Sequence, residues 1–166
     1  MKEIRFQPIG IIRTPFKKVE GMPIQPLGAR KARGRVDLFT AYREGLKDLS
    51  GFSHVILLYH FHKARRPKLL VTPFMDSEKR GVFSTRAPCR PNAIGLSVVR
   101  LVSVEDTLLK VEGIDVLDGT PLLDIKPFVP DFDAVRARRV GWLGRAGPKV
   151  RHAKSDARFV TSKGRK

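Results

Sequence analysis

Residues 81–101 read GVFSTRAPCRPNAIGLSVVRL and hold three arginines, two prolines, an asparagine and a cysteine, most of them between two apolar runs. Arg86 and Arg90 offer planar forks that match a carboxylate or a phosphate. Pro88 and Pro91 fix backbone angles and preorganise the loop that carries them. Asn92 can brace a turn or read a base edge. Cys89, the one cysteine of the chain, lies between the two arginines, and nearby cations favour a thiolate. A nucleophilic thiol would also need a base beside it, and a lone cysteine is more often an inert, buried one. A solvated surface turn fits the same residues, since Gly, Pro and Asn mark turns in general.

Other candidates are sparser. His54, His60 and His62 share parity, so an unbroken strand would present all three on one face. No carboxylate or thiolate lies at ligand spacing beside them, so packing and hydrogen bonding explain them better than a metal, and no metal is expected. The segment DGTP, Asp118 to Pro121, is a hairpin turn that could also set a carboxylate and main-chain amides beside a ligand. No G-x-G-x-x-G follows a strand, and there is no Walker loop, so a Rossmann-type nucleotide site is unsupported.

The elements that position these residues read as strands. Turn signals recur at short spacing with β-branched residues between them, the pattern of an all-β sandwich or barrel. Ile4 to Thr14 reads as a first strand, with Pro8 demanding an edge or a bulge. GRVDLF is a second. Thr40 is the expected cap of one short helix, Ala41 to Leu49, which Gly51 ends. Ser53 to Lys63 is the strongest strand and is apolar on both faces, so both faces must be covered. Gly81-Val82-Phe83 reads as the end of a strand and Gly95 to Val104 as another.

With 166 residues the chain suits one domain with a real core. Its 33 Lys and Arg against 16 Asp and Glu give a net charge of +17, which points to a polyanionic partner, nucleic acid above all. No apolar run is long enough to span a bilayer, and the N-terminus lacks a secretory apolar region. A cytoplasmic protein without a membrane partner is therefore expected. From Arg136 onward eleven Lys and Arg face a single Asp. There only Val140, Trp142 and Leu143 look able to dock, and the remainder reads as a flexible basic tail. The expected division is a barrel domain of residues 1–135 followed by a tail of residues 136–166.

Taken in order, GMPIQP, GFSHVILLYHFHK, GVFSTRAPCRPNAIGLS and DVLDGTPLLDIKPFVP resemble the TrmO-type (YaeB-like) tRNA methyltransferases from about Ile9 to Pro130. The R-x-x-x-R-P-N run is the specific part. The resemblance implies a compact antiparallel β-barrel with one or two short helices and a homodimeric state. It also implies S-adenosylmethionine as methyl donor, and as substrate the N6 nitrogen of threonylcarbamoyladenosine at tRNA position 37. Carried over residue by residue, the donor contacts fall on Pro23, Ile24 and Gln25, then His62 and Lys63, Arg86, Leu96, and Asp118, Gly119, Thr120 and Pro121. Arg90 and Asn92 belong to the same motif with a structural or tRNA-facing role. Asp118 or His62 could accept the proton that the weakly nucleophilic N6 must lose. Some family members have a basic residue in place of Ile24, and longer bacterial members carry a C-terminal domain where this sequence has a basic tail. A basic RNA-binding barrel without catalysis, methyl transfer to another substrate, and a cysteine enzyme are the competing readings.

Overall fold

A computed structural model of the chain describes residues 3–25, 28–146 and 153–160. Eight strands form among them: β1 Gly10–Arg13, β2 Arg33–Leu38, β3 His54–His60, β4 Leu70–Val71, β5 Arg80–Gly81, β6 Ile94–Glu105, β7 Leu108–Glu112 and β8 Thr120–Pro127. Six close a barrel in the order β1-β2-β7-β6-β3-β8, and every pairing is antiparallel. Closure leaves no barrel strand with an open edge. β4 and β5 pair outside the barrel. Two short helices follow, α1 Pro130–Asp133 and α2 Leu143–Ala146. The all-β barrel expected from the sequence is the architecture found.

Period-two alternation fills the barrel. Val55, Leu57 and Tyr59 of β3 point inward, facing Val99 and Leu101 of β6, with Ile12, Val36, Leu109, Val111 and Leu122 completing the interior. Each fully buried aliphatic side chain stabilises the fold by about 1.5–3 kcal/mol. In register, Tyr59 lies opposite Gly95 and Leu57 opposite Ser97. A Cβ on Gly95 would sit 2.8 Å from Phe61 Cζ and closer still to the Tyr59 ring. Glycine is therefore the residue that lets this ring lie flat on β6.

Three local expectations are corrected. The helix expected over Ala41 to Leu49 is instead a 3-10 segment, Thr40–Leu46, and a separate 3-10 turn, Leu49–Gly51. Phe39 occupies the N-cap position, no side chain caps it, and the left-handed Asp48 (φ 64°) breaks the run. So short a segment cannot sustain an α-helix on propensity alone. Val82 and Phe83 are not strand: they form a 3-10 turn, Val82–Ser84, directly after β5. The first strand is shorter than expected, beginning at Gly10, although Ile9 N–H already donates to Leu122 O at 2.8 Å.

Of the basic, partly flexible tail expected over residues 136–166, residues 153–160 return to the barrel, and residues 147–152 and 161–166 lie outside the described residues. Ser155 exchanges main-chain hydrogen bonds with Gly21 and Met22, and isolated bridges join Lys154 to Pro23 and Val160 to Ala64. Phe159 is buried with Val71, Val82, Ala87 and Cys89 in a second apolar cluster, against which Phe74 packs. One aromatic in a basic sequence is a faint signal, and its burial depends on a cleft that the local sequence does not contain.

Candidate active site

β3 is antiparallel to both β6 and β8, so its C-terminal end meets the beginnings of the other two. At that end of the barrel lies a cavity of about 360 Å³. Four separated segments expected from the sequence meet there. Pro23, Ile24 and Gln25 come from the first long loop, and His62 and Lys63 from the turn after β3. Arg86 and Arg90 come from the loop between β5 and β6, followed by Leu96 on β6, and Thr120 opens β8. The three histidines do not share a face: β3 stops at His60, which is exposed, while His62 lies beyond the strand and lines the cavity. Among the described residues no cluster of His, Cys, Asp and Glu could hold a metal.

The arginine-rich loop is braced from within. Arg90 Nη1 donates to the carbonyls of Val82, Thr85 and Ala87 at 3.2, 2.8 and 3.4 Å. Thr85 Oγ1 donates to Val82 O at 2.9 Å and accepts from Ala87 N–H at 3.2 Å. Arg90 thus supports the loop, and Arg86 is presented by it: Arg86 is exposed and its Nη1 donates to Gln25 Oε1 at 3.1 Å. Cys89 is 2% exposed with its Sγ against Phe159 O, a packing position closed to substrate. Asn92 is exposed and lies outside the cavity lining.

The DGTP turn divides its residues between two sides. Gly119, at φ 77°, supplies the left-handed corner. Thr120 faces the cavity, where its hydroxyl donates to Leu117 O at 2.7 Å and lies 3.4 Å from His62 Nδ1. Asp118, Gly119 and Pro121 are not in the lining. Asp118 instead borders a separate open concavity with Arg13, Lys17 and Arg35. Its Oδ1 accepts from Thr14 N–H at 3.0 Å, and its Oδ2 is paired with Lys17 Nζ at 2.8 Å. Burial pushes its carboxyl up, but the Lys17 and Thr14 hydrogen bonds outweigh this and hold it below the usual carboxylate range. That carboxylate anchors the turn to the end of β1.

The carboxylate that does reach the cavity is Asp115. Ser97 Oγ donates to its Oδ1 at 2.6 Å, and Tyr59 Oη lies 3.0 Å from the same serine oxygen. Burial raises the Asp115 carboxyl to about 6, the Ser97 hydrogen bond and the Arg86 charge opposing the rise only partly. Burial, and then the nearby Asp115 charge, push the Tyr59 phenol up, so it stays a donor. Burial, followed by the charges of Lys63 and His60, lowers His62, which is neutral at pH 7. Asp115 opens the DVLDGTPLLDIKPFVP run, between two apolar neighbours, Ile114 and Val116, both buried, yet no contact was carried over onto it. The aromatic wall of Tyr59 and Phe61, edge to face at 5.4 Å, and the C-terminal contributions of Ser155, Phe159 and Val160 carried no motif signal at all.

Residues 11–134 match the model of the tRNA-methyltransferase O N-terminal domain. The chain belongs to the TrmO family. Membership places it in a family named for tRNA methyltransferase O. A probable S-adenosyl-L-methionine-binding protein of Pyrococcus abyssi is 53% identical over 158 residues, covering 95% of this chain and 86% of the relative. A mouse tRNA (adenine(37)-N6)-methyltransferase is 39% identical over 135 residues, covering 77% of this chain and 31% of the longer protein. The crystal structure of TrmO from Pseudomonas aeruginosa superposes with a TM-score of 0.72 at 45% identity, covering 85% of this chain and 63% of that one. The family match ends at residue 134, so the docked segment 153–160 lies outside it.

Proposed function

We propose that this chain methylates the N6 nitrogen of threonylcarbamoyladenosine at position 37 of tRNA, with S-adenosylmethionine as the methyl donor. One observation carries the reading: Pro23 to Gln25, His62 and Lys63, Arg86, Leu96 and Thr120, scattered over nearly a hundred residues, border one cavity. At about 360 Å³ it falls within the usual range for small-molecule sites, roughly 300–1,000 Å³. Its walls suit the donor. Tyr59, Phe61 and Leu96 are apolar surface for a base, and Arg86 and Gln25 are placed for an amino-acid carboxylate. When bound, the donor supplies a methyl group already activated by a sulfonium.

The chain then has to orient rather than activate. Arg90 and Thr85 stiffen the loop so that Arg86 is held at one position, and fixed alignment of nucleophile and methyl supplies much of the rate. Asp118, Gly119 and Pro121 act through the backbone path that brings Thr120 to the cavity. Arg90 acts through the loop, and Asn92 remains on its outer surface, facing tRNA.

The net charge of +17 supports an RNA partner. The outer face of the barrel supports a homodimer. Ile56 and Leu58 of β3 are paired with Val98 and Leu96 of β6, and Ile94, Leu96 and Val102 leave apolar surface exposed there. Light scattering at micromolar concentration should report a dimer, and a fully active monomer would remove that part of the reading. Residues 1–135 form the donor-binding barrel, residues 136–166 are its basic extension, and the protein works in the cytoplasm.

The reading is tested by nucleoside mass spectrometry of tRNA from cells with and without the gene. A methylated threonylcarbamoyladenosine that disappears with the gene is the expected result. Donor binding by calorimetry with no change in that nucleoside would assign the site to another substrate. Absence of donor binding would leave a basic RNA-binding barrel.

A further inference from the structure

The cavity holds a carboxylate, Asp115, that opens the DVLDGTPLLDIKPFVP run but is not among the donor contacts carried over from the family. Asp115 lies between two residues buried in the barrel core, Ile114 and Val116. It is tied to the opposite wall by the chain Tyr59 Oη, Ser97 Oγ, Asp115 Oδ1. Because Ser97 donates to Asp115, its oxygen is left to accept from Tyr59, so both hydroxyl protons point toward the carboxylate. Ser97 is 1% exposed and Tyr59 5%. Such an array fixes one carboxylate oxygen and turns the group toward the cavity. The alternatives are less suited. Asp118 is bonded to Thr14 and Lys17 and borders another concavity. His62 lies beside Lys63 and against Thr120.

We propose that Asp115 is the catalytic residue that accepts the N–H proton of the methylated nitrogen, held in place by Ser97 and Tyr59. The inference rests on the methyltransferase reading given above. In the step, the donor S–CH3 bond breaks and its electron pair stays on sulfur. The nitrogen lone pair forms the N–CH3 bond, and the N–H proton passes to the Asp115 carboxylate, leaving a neutral N-methylated product. A base whose own affinity for protons lies near the working pH is the efficient one for such a transfer. The burial that raises Asp115 to about 6 meets that requirement. The titratable and charged groups that face it are Tyr59 from β3 and Arg86 from the loop, with His62 and Lys63 lining the same cavity.

The full-length protein carrying Asp115→Asn, which keeps the shape and the oxygen that accepts from Ser97, should bind S-adenosylmethionine within about threefold of wild type by calorimetry. Its single-turnover methylation of tRNA should fall by roughly 10²–10⁴-fold, the usual worth of a positioned general base. The acidic limb of the wild-type pH–rate profile should vanish in the variant. Independently of activity, the Asp115 carboxyl carbon in ligand-free wild type should titrate near pH 6 by NMR. Three results overturn the proposal: an unchanged rate in Asp115→Asn, a limb that persists there but disappears in His62→Gln, or a loss of donor affinity that accounts for the whole effect. A wild-type protein that binds donor but methylates no tRNA would instead overturn the tRNA reading, and the NMR titration would still report on Asp115.

Discussion

Arg86 and Gln25 stand 61 positions apart in the chain, yet Arg86 Nη1 donates to Gln25 Oε1 at 3.1 Å across the mouth of the cavity. The pair ties the first long loop to the arginine-rich loop. Each of these loops lines the cavity. Arg86→Ala should weaken S-adenosylmethionine binding by about 1.5–3 kcal/mol, the worth of a hydrogen bond to a charged group. Titration calorimetry checks this. Unchanged affinity would move Arg86 to the tRNA side of the site.

The C-terminal segment fastens the first loop through Ser155, hydrogen-bonded to Gly21 and Met22, the arginine-rich loop through Phe159 O against Cys89 Sγ, and the segment after β3 as well. Phe159 O accepts from Arg65 N–H at 3.0 Å, and Arg158 Nη1 donates to Pro73 O at 2.9 Å while its guanidinium lies over the Phe74 ring. Ending the chain at Gly144 should therefore reduce donor affinity, contrary to what a loose tail would predict, while circular dichroism still shows the barrel. Phe159→Ala in the intact chain should cost roughly 3 kcal/mol of stability, as for other buried aromatics. Donor affinity equal to wild type in both variants would mean that the docked segment supports the fold and has no part in holding the donor.

Gly95 is fixed by the Tyr59 ring opposite it. Gly95→Ala must displace Tyr59 or Phe61, and overpacking of this kind costs about 1–3 kcal/mol. Because Tyr59 Oη also supports Ser97, donor affinity should fall along with the melting temperature. A variant as stable as wild type, with the donor still bound, would show that the ring moves aside freely.

Asp115 makes stability depend on pH. Its folded-state value of about 6 lies above the ordinary 3.8, so the native state holds the proton more tightly than the unfolded chain. Stability is then highest below about pH 4 as far as this group is concerned. It declines as pH rises to about 6 and stays lower above. The gap amounts to on the order of 2–3 kcal/mol. Asp115→Asn should remove that decline, so denaturant midpoints of variant and wild type should diverge between pH 4 and 6, the variant becoming relatively more stable. Parallel curves would mean that the carboxylate is better solvated than its surroundings suggest.

The chemistry of the arginine-rich loop and the all-β character were legible in the sequence because both are local. Alternating apolar residues dictate which side of a strand is buried. Arg, Pro and Gly at fixed spacing dictate a stiff cationic loop. The resemblance also named Pro23, Ile24, Gln25, His62, Lys63, Arg86, Arg90, Leu96 and Thr120, which all border the cavity. What the sequence could not fix was direction. Asp118 and Thr120 are two apart in one turn, yet the left-handed Gly119 between them sends one toward Lys17 and the other toward His62. Arg86 and Arg90 are the same residue type four apart, yet one reaches across to Gln25 and the other is spent on three carbonyls of its own loop. Neither Asp115, the first residue of DVLDGTPLLDIKPFVP, nor Phe159 shows its role locally, for the same reason. A carboxylate becomes a base, and a phenylalanine a pocket wall, only when barrel closure brings Ser97 and Tyr59 against the one and Cys89 and Val82 against the other. Those partners are distant in sequence, and desolvation and packing are properties of the assembled neighbourhood, not of the residue.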